Sequence, residues 1–228
     1  MGADDRHSQA AEANLITDPD EVARQEAQNG LRQFDRAIEM IEYWLHPDRK
    51  PYRLRASHIM DLNRVALEKI NKFAGVYRTT AVTITKSKHT PPGPDRVPAL
   101  VEELCDYVND NQDRSAIHLA SYVMWRLNWI HPFADGNGRT TRVTSFVVMC
   151  VRVGYRVPGS QTVPELIATN RRPYYEALEK ADTAYEATQK IDVSAMEALL
   201  SSLLARQLTS VFDAARADGH PAAEPAAN

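Results

Sequence analysis

Residues 131–142 read His-Pro-Phe-Ala-Asp-Gly-Asn-Gly-Arg-Thr-Thr-Arg. Gly136 and Gly138 let main-chain N–H groups approach a ligand without a Cβ in the way. They lie where a helix should begin, and the free amides and positive dipole end of a helix start attract phosphate. Asn137 between them adds a side-chain donor. Arg139 and Arg142, three apart, are neighbours on the first turn, and guanidinium forks suit phosphate oxygens. Asp135 offers one carboxylate, enough for Mg²⁺ when phosphate oxygens and water complete its octahedron. His131 titrates near neutrality and is the natural general base for a hydroxyl nucleophile. Together these residues could grip a nucleoside triphosphate and direct an attack on it.

Taken singly, each feature has an ordinary structural reading. A histidine at a helix end commonly bonds to the backbone, Asp-Gly-Asn-Gly makes a good turn, and two arginines make a solvated helix face. Base, acid, glycine nest and paired arginines at one helix start favour the chemical reading.

The surrounding pattern is mostly helical. Asp18-Pro19-Asp20-Glu21 reads as a helix start, and Leu31, Phe34, Ile38, Ile41 and Leu45 then share a face up to His46-Pro47. Further helices are expected over 57–72, 97–109 and 115–130. Pro132 disfavours helical geometry at His131, which should sit where helix becomes loop. The helix starting near Gly138 is apolar nearly all round and belongs in the middle of the domain. Phe133 should anchor the loop in the core. Two more helices are expected over 172–188 and 193–212. Between 74 and 94 the helical pattern breaks. Val82 to Thr85 alternates with period two before Pro91-Pro92-Gly93-Pro94, which suggests a small hairpin or flap. The fold class is therefore all-α with one flap.

At 228 residues the chain fits one domain, placed at 18–213. Segments 1–17 and 214–228, rich in Ala, Pro and charge, are expected to be disordered. The net charge of −3 argues against wholesale nucleic-acid binding. Cys105 and Cys150 lack metal or redox-motif spacing, consistent with a reducing compartment. With no apolar leader or membrane-length run, a cytoplasmic location is expected and no membrane partner.

The stretch 131–142 resembles the Fic-domain signature at every position that signature specifies. The resemblance extends over about 22–208. Ala116-Ile117-His118 through Trp129-Ile130 is similar to the family's helix before the motif, Gly75-Val76-Tyr77-Arg78 with 82–92 to its flap, and Arg172 to Leu178 to its late helix. It implies a Fic-fold helical bundle with a small β-hairpin flap. It also implies a protein adenylyltransferase that moves AMP from ATP to a Tyr, Ser or Thr hydroxyl of a target protein. On that analogy His131 is the base, Asp135 holds Mg²⁺, and Gly136, Asn137 and Gly138 cradle the phosphates. Arg139 and Arg142 neutralise the departing pyrophosphate, and Tyr174 or Tyr175 borders the nucleotide. The target pairs with the flap by strand addition, with Lys86, Lys88 and His89 as a basic rim. Relatives that transfer phosphate tend to carry Lys at the position of Gly138, so glycine favours nucleotidyl transfer. Transfer of UMP, phosphocholine or phosphate, removal of AMP, and a toxin-like partner-binding module are the alternatives. An antitoxin or a second copy of the chain is left open as a further partner.

Many members of the family silence themselves through a helix reading Ser or Thr, three residues, Glu, then Gly or Asn. In the long first helix, Arg24 to Asn29 aligns best but shows Gln28 where Glu is expected. Weak or absent autoinhibition is therefore expected, with Gln28 facing Arg142. Glu26 would substitute only with a shift of register.

Overall fold

A computed structural model describes residues 6, 8–9, 14–159 and 161–217. Eight helices are present among them: α1 (Pro19–Leu45), α2 (Ala56–Leu67), α3 (Val97–Asp110), α4 (Ala116–Ile130), α5 (Asn137–Val153), α6 (Val163–Thr169), α7 (Arg172–Thr188) and α8 (Ser194–Ala217). None is long and apolar enough to cross a membrane. Helix starts follow local chemistry. Asp18 accepts the Glu21 N–H at 2.8 Å, Ser115 accepts the His118 N–H at 3.0 Å, and Pro173 and Pro98 fall in first turns, where no N–H partner is lost.

As its composition predicts, α5 runs through the centre. Val143, Phe146, Val147, Val148, Met149 and Cys150 are all buried, and α1, α2, α4 and α6 pack around it. Cys105 and Cys150 are both free and buried.

Three expectations are corrected. The buried face of α1 is Asn29, Gln33, Ala37, Met40 and Ile41, while Leu31 is exposed. Polar residues lie inside because they satisfy the end of α2: Asn29 Nδ2 donates to Glu68 O (2.7 Å) and Ala66 O (3.3 Å), and Gln33 Nε2 to Leu62 O (3.0 Å). Second, α2 stops at Leu67, because Lys69 takes a left-handed conformation (φ 64°).

Third, the flap forms no hairpin of its own. Its strand β2 (Thr83–Ile84) pairs antiparallel with β1 (Ser8–Gln9), with Ser8 opposite Ile84 and Gln9 opposite Thr83. The chain turns at Lys86 (φ 59°) and then enters a stretch where Pro91, Pro92 and Pro94 cannot donate to a second strand. Much of segment 1–17, and all of 218–228, lie outside the described residues. Within the first segment β1 is paired, and the Leu15 N–H donates to Ile70 O at 2.8 Å.

Candidate active site

The site is the junction of α4 and α5. His131 ends α4 in a left-handed conformation (φ 51°, ψ 60°) and is buried. Its Nδ1 lies 3.2 Å from Asn128 O. A carbonyl only accepts, so Nδ1 carries the proton and the basic lone pair belongs to Nε2. Burial pushes the imidazole down to about 4, the Asn128 bond opposes this, and Arg78 and His89 lower it further. The ring is therefore neutral at physiological pH, the form a base needs.

Phe133 is buried, as expected, and Tyr77 forms a bridge with it. Asn137 Oδ1 accepts the Phe133 N–H at 2.9 Å and its Nδ2 donates to Phe133 O at 2.8 Å. The carboxamide thus closes the loop upon itself through Phe133. The main-chain amides of Gly138 and Arg139, in the first turn of α5, have no carbonyl within the helix to bond.

Gly136 caps α5 at φ 73°. A Cβ there would meet Asn63 Nδ2 at 3.0 Å and Leu67 Cγ at 3.2 Å, so conformation and space both demand glycine. The Asn63 carboxamide is buried. It donates to Asp135 O (3.1 Å) and Thr140 Oγ1 (3.2 Å) and accepts the Gly75 N–H (2.9 Å). One side chain of α2 thereby joins the glycine nest to the root of the flap.

Asp135 Oδ1 accepts the Gly136 N–H at 2.6 Å, and Oδ2 lies 3.8 Å from Arg139 Nη2. The carboxylate is 44% exposed, so solvent and a ligand can reach it. Among the described residues no group of three or more His, Cys, Asp or Glu could cage a metal. A lone, reachable carboxylate beside a phosphate-binding turn fits a Mg²⁺ ion whose other ligands come from nucleotide and water.

Arg142 folds back so that a Cβ on Gly138 would lie 3.3 Å from its Nη1. Burial lowers its pKa, the phenols of Tyr174 and Tyr175 act the other way, and the Arg171 and Arg139 charges lower it again. A desolvated cation whose charged neighbours include two arginines is suited to an incoming anion. Arg139 instead pairs with Glu26 of α1, Nη2 to Oε1 3.1 Å.

Gln28 is exposed, and the carboxylate that α1 brings to the motif is that of Glu26, on Arg139. The inward face of α1 passes through Asn29 and Gln33, and Glu26, three residues before Asn29, falls on it.

The structure separates the two tyrosines. Tyr174 is buried, its hydroxyl accepts from Asn128 Nδ2, and burial pushes it up to about 12. Tyr175 is half-buried and carries the Arg6 guanidinium 4.4 Å over its ring. Tyr175 is thus the one that can meet a ligand at the surface. On the flap, Lys86 and Lys88 are exposed. His89 is turned inward instead, Nε2 2.8 Å from Trp129 O with its ring 5.3 Å from that indole.

Sequence reasoning missed Asn63 and Asn128, admitted Glu26 only with a shift of register, and gave Arg78 no role. Arg78 stood inside the quoted Gly75–Arg78 stretch, and the others carried no signal in their spacing. Each makes a contact far along the chain: Asn63 with Asp135 O, Asn128 with the Tyr174 hydroxyl, Glu26 with Arg139, and Arg78 with His131 O at 2.7 Å.

The site thus sets a neutral histidine at the end of one helix beside the glycine-capped start of the next, within a helical bundle. Residues 53–149 match the family model described as Fic/DOC family. The chain is 31% identical over 128 residues to a protein adenylyltransferase Fic of Drosophila grimshawi, covering 54% of this chain and 24% of that one. It is 33% identical over 113 residues to a protein of the same name from Nematostella vectensis, covering 48% and 24%. A Fic domain containing signaling protein from Bacteroides thetaiotaomicron superposes with a TM-score of 0.66 at 26% identity, over 84% of this chain and 74% of that one. The chain spans about a quarter of the length of the curated relatives it matches.

Proposed function

We propose that the chain is a protein adenylyltransferase that moves AMP from ATP to a Tyr, Ser or Thr hydroxyl of a target protein. The observation that carries this reading is His131: a buried imidazole with Nδ1–H held by Asn128 O, five residues before the glycine-capped start of α5. The names of the relatives point the same way.

In this reading the first-turn amides of α5 and Arg142 hold the phosphates. Asp135 would hold Mg²⁺, which supplies neutralising charge to the phosphate oxygens. His131 Nε2 takes the proton of the target hydroxyl. That oxygen forms a bond to the α-phosphorus, and the bond from phosphorus to the oxygen bridging to the β-phosphate breaks. Pyrophosphate leaves with the electron pair, its charge balanced by Arg142 and by Arg139 once Glu26 has been displaced. Gly138 leaves room for Arg142 to lie against the main chain of α5, where a lysine side chain would crowd it.

The target's main chain would pair with the flap at Thr83–Ile84, beside Lys86 and Lys88. The test is mass spectrometry of a lysate incubated with ATP and the protein. AMP adducts on hydroxyl side chains are expected. Phosphate, UMP or phosphocholine adducts with the matching donor, and none with AMP, would replace the reading.

A further inference from the structure

Arg78 is buried and lies outside the catalytic motif, yet all its hydrogen bonds go to main-chain carbonyls around it. Nε donates to His131 O (2.7 Å) and Nη2 to Ile130 O (3.3 Å), while the Arg78 N–H donates to Pro132 O (2.9 Å). The last carbonyls of a helix lack partners within it and form the negative end of its dipole, so a guanidinium belongs there. The same group holds the flap: Nη1 donates to Thr80 O (3.1 Å) and Nη2 to Pro92 O (2.5 Å). Thr80 and Pro92 bracket β2 (Thr83–Ile84) and the turn at Lys86.

We propose that Arg78 is a positioning residue that locks both roots of the flap to the His131 hinge, so that the hydroxyl presented on the flap meets the imidazole at reactive distance. The inference rests on the transferase reading for its kinetic consequence alone. No carboxylate among the described residues pairs with Arg78, and its four side-chain hydrogen bonds all serve this joint. Its charge, with His89, also bears on the His131 ring and opposes protonation there. The arginine therefore sets where the base stands, and its charge adds to the burial that keeps the ring neutral.

Three measurements on the full chain test this with Arg78→Met and Arg78→Lys. Methionine keeps the length and removes charge and donors; lysine keeps the charge but cannot span four carbonyls. Arg78→Met should bind a non-hydrolysable ATP analogue within about twofold of wild type and lose about 100-fold in kcat, the scale of a misplaced reacting group. Independently of any transfer, the His131 ring-proton NMR titration should move upward in pH in Arg78→Met and stay in place in Arg78→Lys. Amides 80–92 should exchange faster in both, with α5 unchanged. Should Arg78→Met fail to fold, Arg78→Lys carries the test, with lowered kcat and unshifted titration expected. Unchanged flap exchange, or wild-type kcat in Arg78→Lys, would overturn the proposal. A wild-type protein that transfers no AMP while the exchange and titration results hold would overturn the transferase reading and leave the joint standing.

Discussion

Glu26 Oε1 lies 3.1 Å from Arg139 Nη2, joining α1 to the first turn of α5 across the phosphate-binding end of the site. An anion that draws on Arg139 must displace this carboxylate. The pair is partly solvated, with side chains 33% and 25% exposed, so the competition is modest. Glu26→Gln should tighten binding of an ATP analogue about two- to fivefold, the range of a partly exposed ion pair. Calorimetric titration measures it, and an unchanged or weaker affinity would show that Glu26 does not compete. Gln28→Glu adds a carboxylate on the exposed face of α1 and should leave affinity unchanged.

The two glycines that shape the nest should fail in different ways. Gly136→Ala forces a Cβ into a left-handed residue and against Asn63 Nδ2, and should destabilise the fold by about 1–3 kcal/mol. Gly138 sits in a helix, and a Cβ there meets only the end of Arg142 at 3.3 Å. Gly138→Ala should keep or raise the denaturation midpoint while lowering nucleotide affinity as Arg142 is displaced. Equal loss of stability in both variants would contradict this division.

The neutral, buried state of His131 links folding to pH. Its folded pKa, about 4, lies below the ordinary 6.5. Between those values the unfolded chain binds a proton that the folded one refuses. Stability is then full above pH 6.5 and is lost as pH falls toward 4, by about 3 kcal/mol for this residue. The difference in unfolding free energy between pH 7.5 and 4.5 should be smaller by about 2–3 kcal/mol in His131→Asn, read by urea denaturation. An identical difference in both proteins would show that His131 is not held neutral by burial.

A target that pairs with the edge of Thr83–Ile84 already taken by Ser8–Gln9 must replace them. Ser8→Pro with Gln9→Pro, which keeps Arg6 over Tyr175, should therefore raise the rate of target modification at limiting target concentration and leave ATP affinity within about twofold, since the anion site lies at the junction of α4 and α5. An unchanged rate at limiting target would mean that β1 and the target do not share the strand edge.

The helices around the site were legible because their start signals and apolar periodicity are local. Asp18, Ser115 and Pro132 mark boundaries that the structure keeps, and the apolar circumference of α5 placed it in the core. Short α6 escaped periodicity, although Thr162 and Glu165 carried its signal: Glu165 Oε2 accepts the Thr162 N–H at 2.7 Å. Polar residues that work inside were not legible. Asn29, Gln33, Asn63 and Arg78 look like surface residues in sequence, and their purpose lies in carbonyls and amides on other elements. Within the motif, the placing of His131 at the end of α4 and of Gly136 at the start of α5 was legible from Pro132 and the glycine spacing. The bonds from the Asn137 carboxamide to Phe133 were not legible, because a carboxamide's type and spacing do not say which backbone groups it meets.

Transfer of label from ATP to a protein acceptor tests the central claim most directly, with wild type and His131→Ala run in parallel on donors labelled at the α- or the γ-phosphate. The account predicts that α-label alone reaches protein with wild type, and that His131→Ala binds ATP yet transfers nothing. Transfer of γ-label, or α-label transfer by His131→Ala at the wild-type rate, would contradict it.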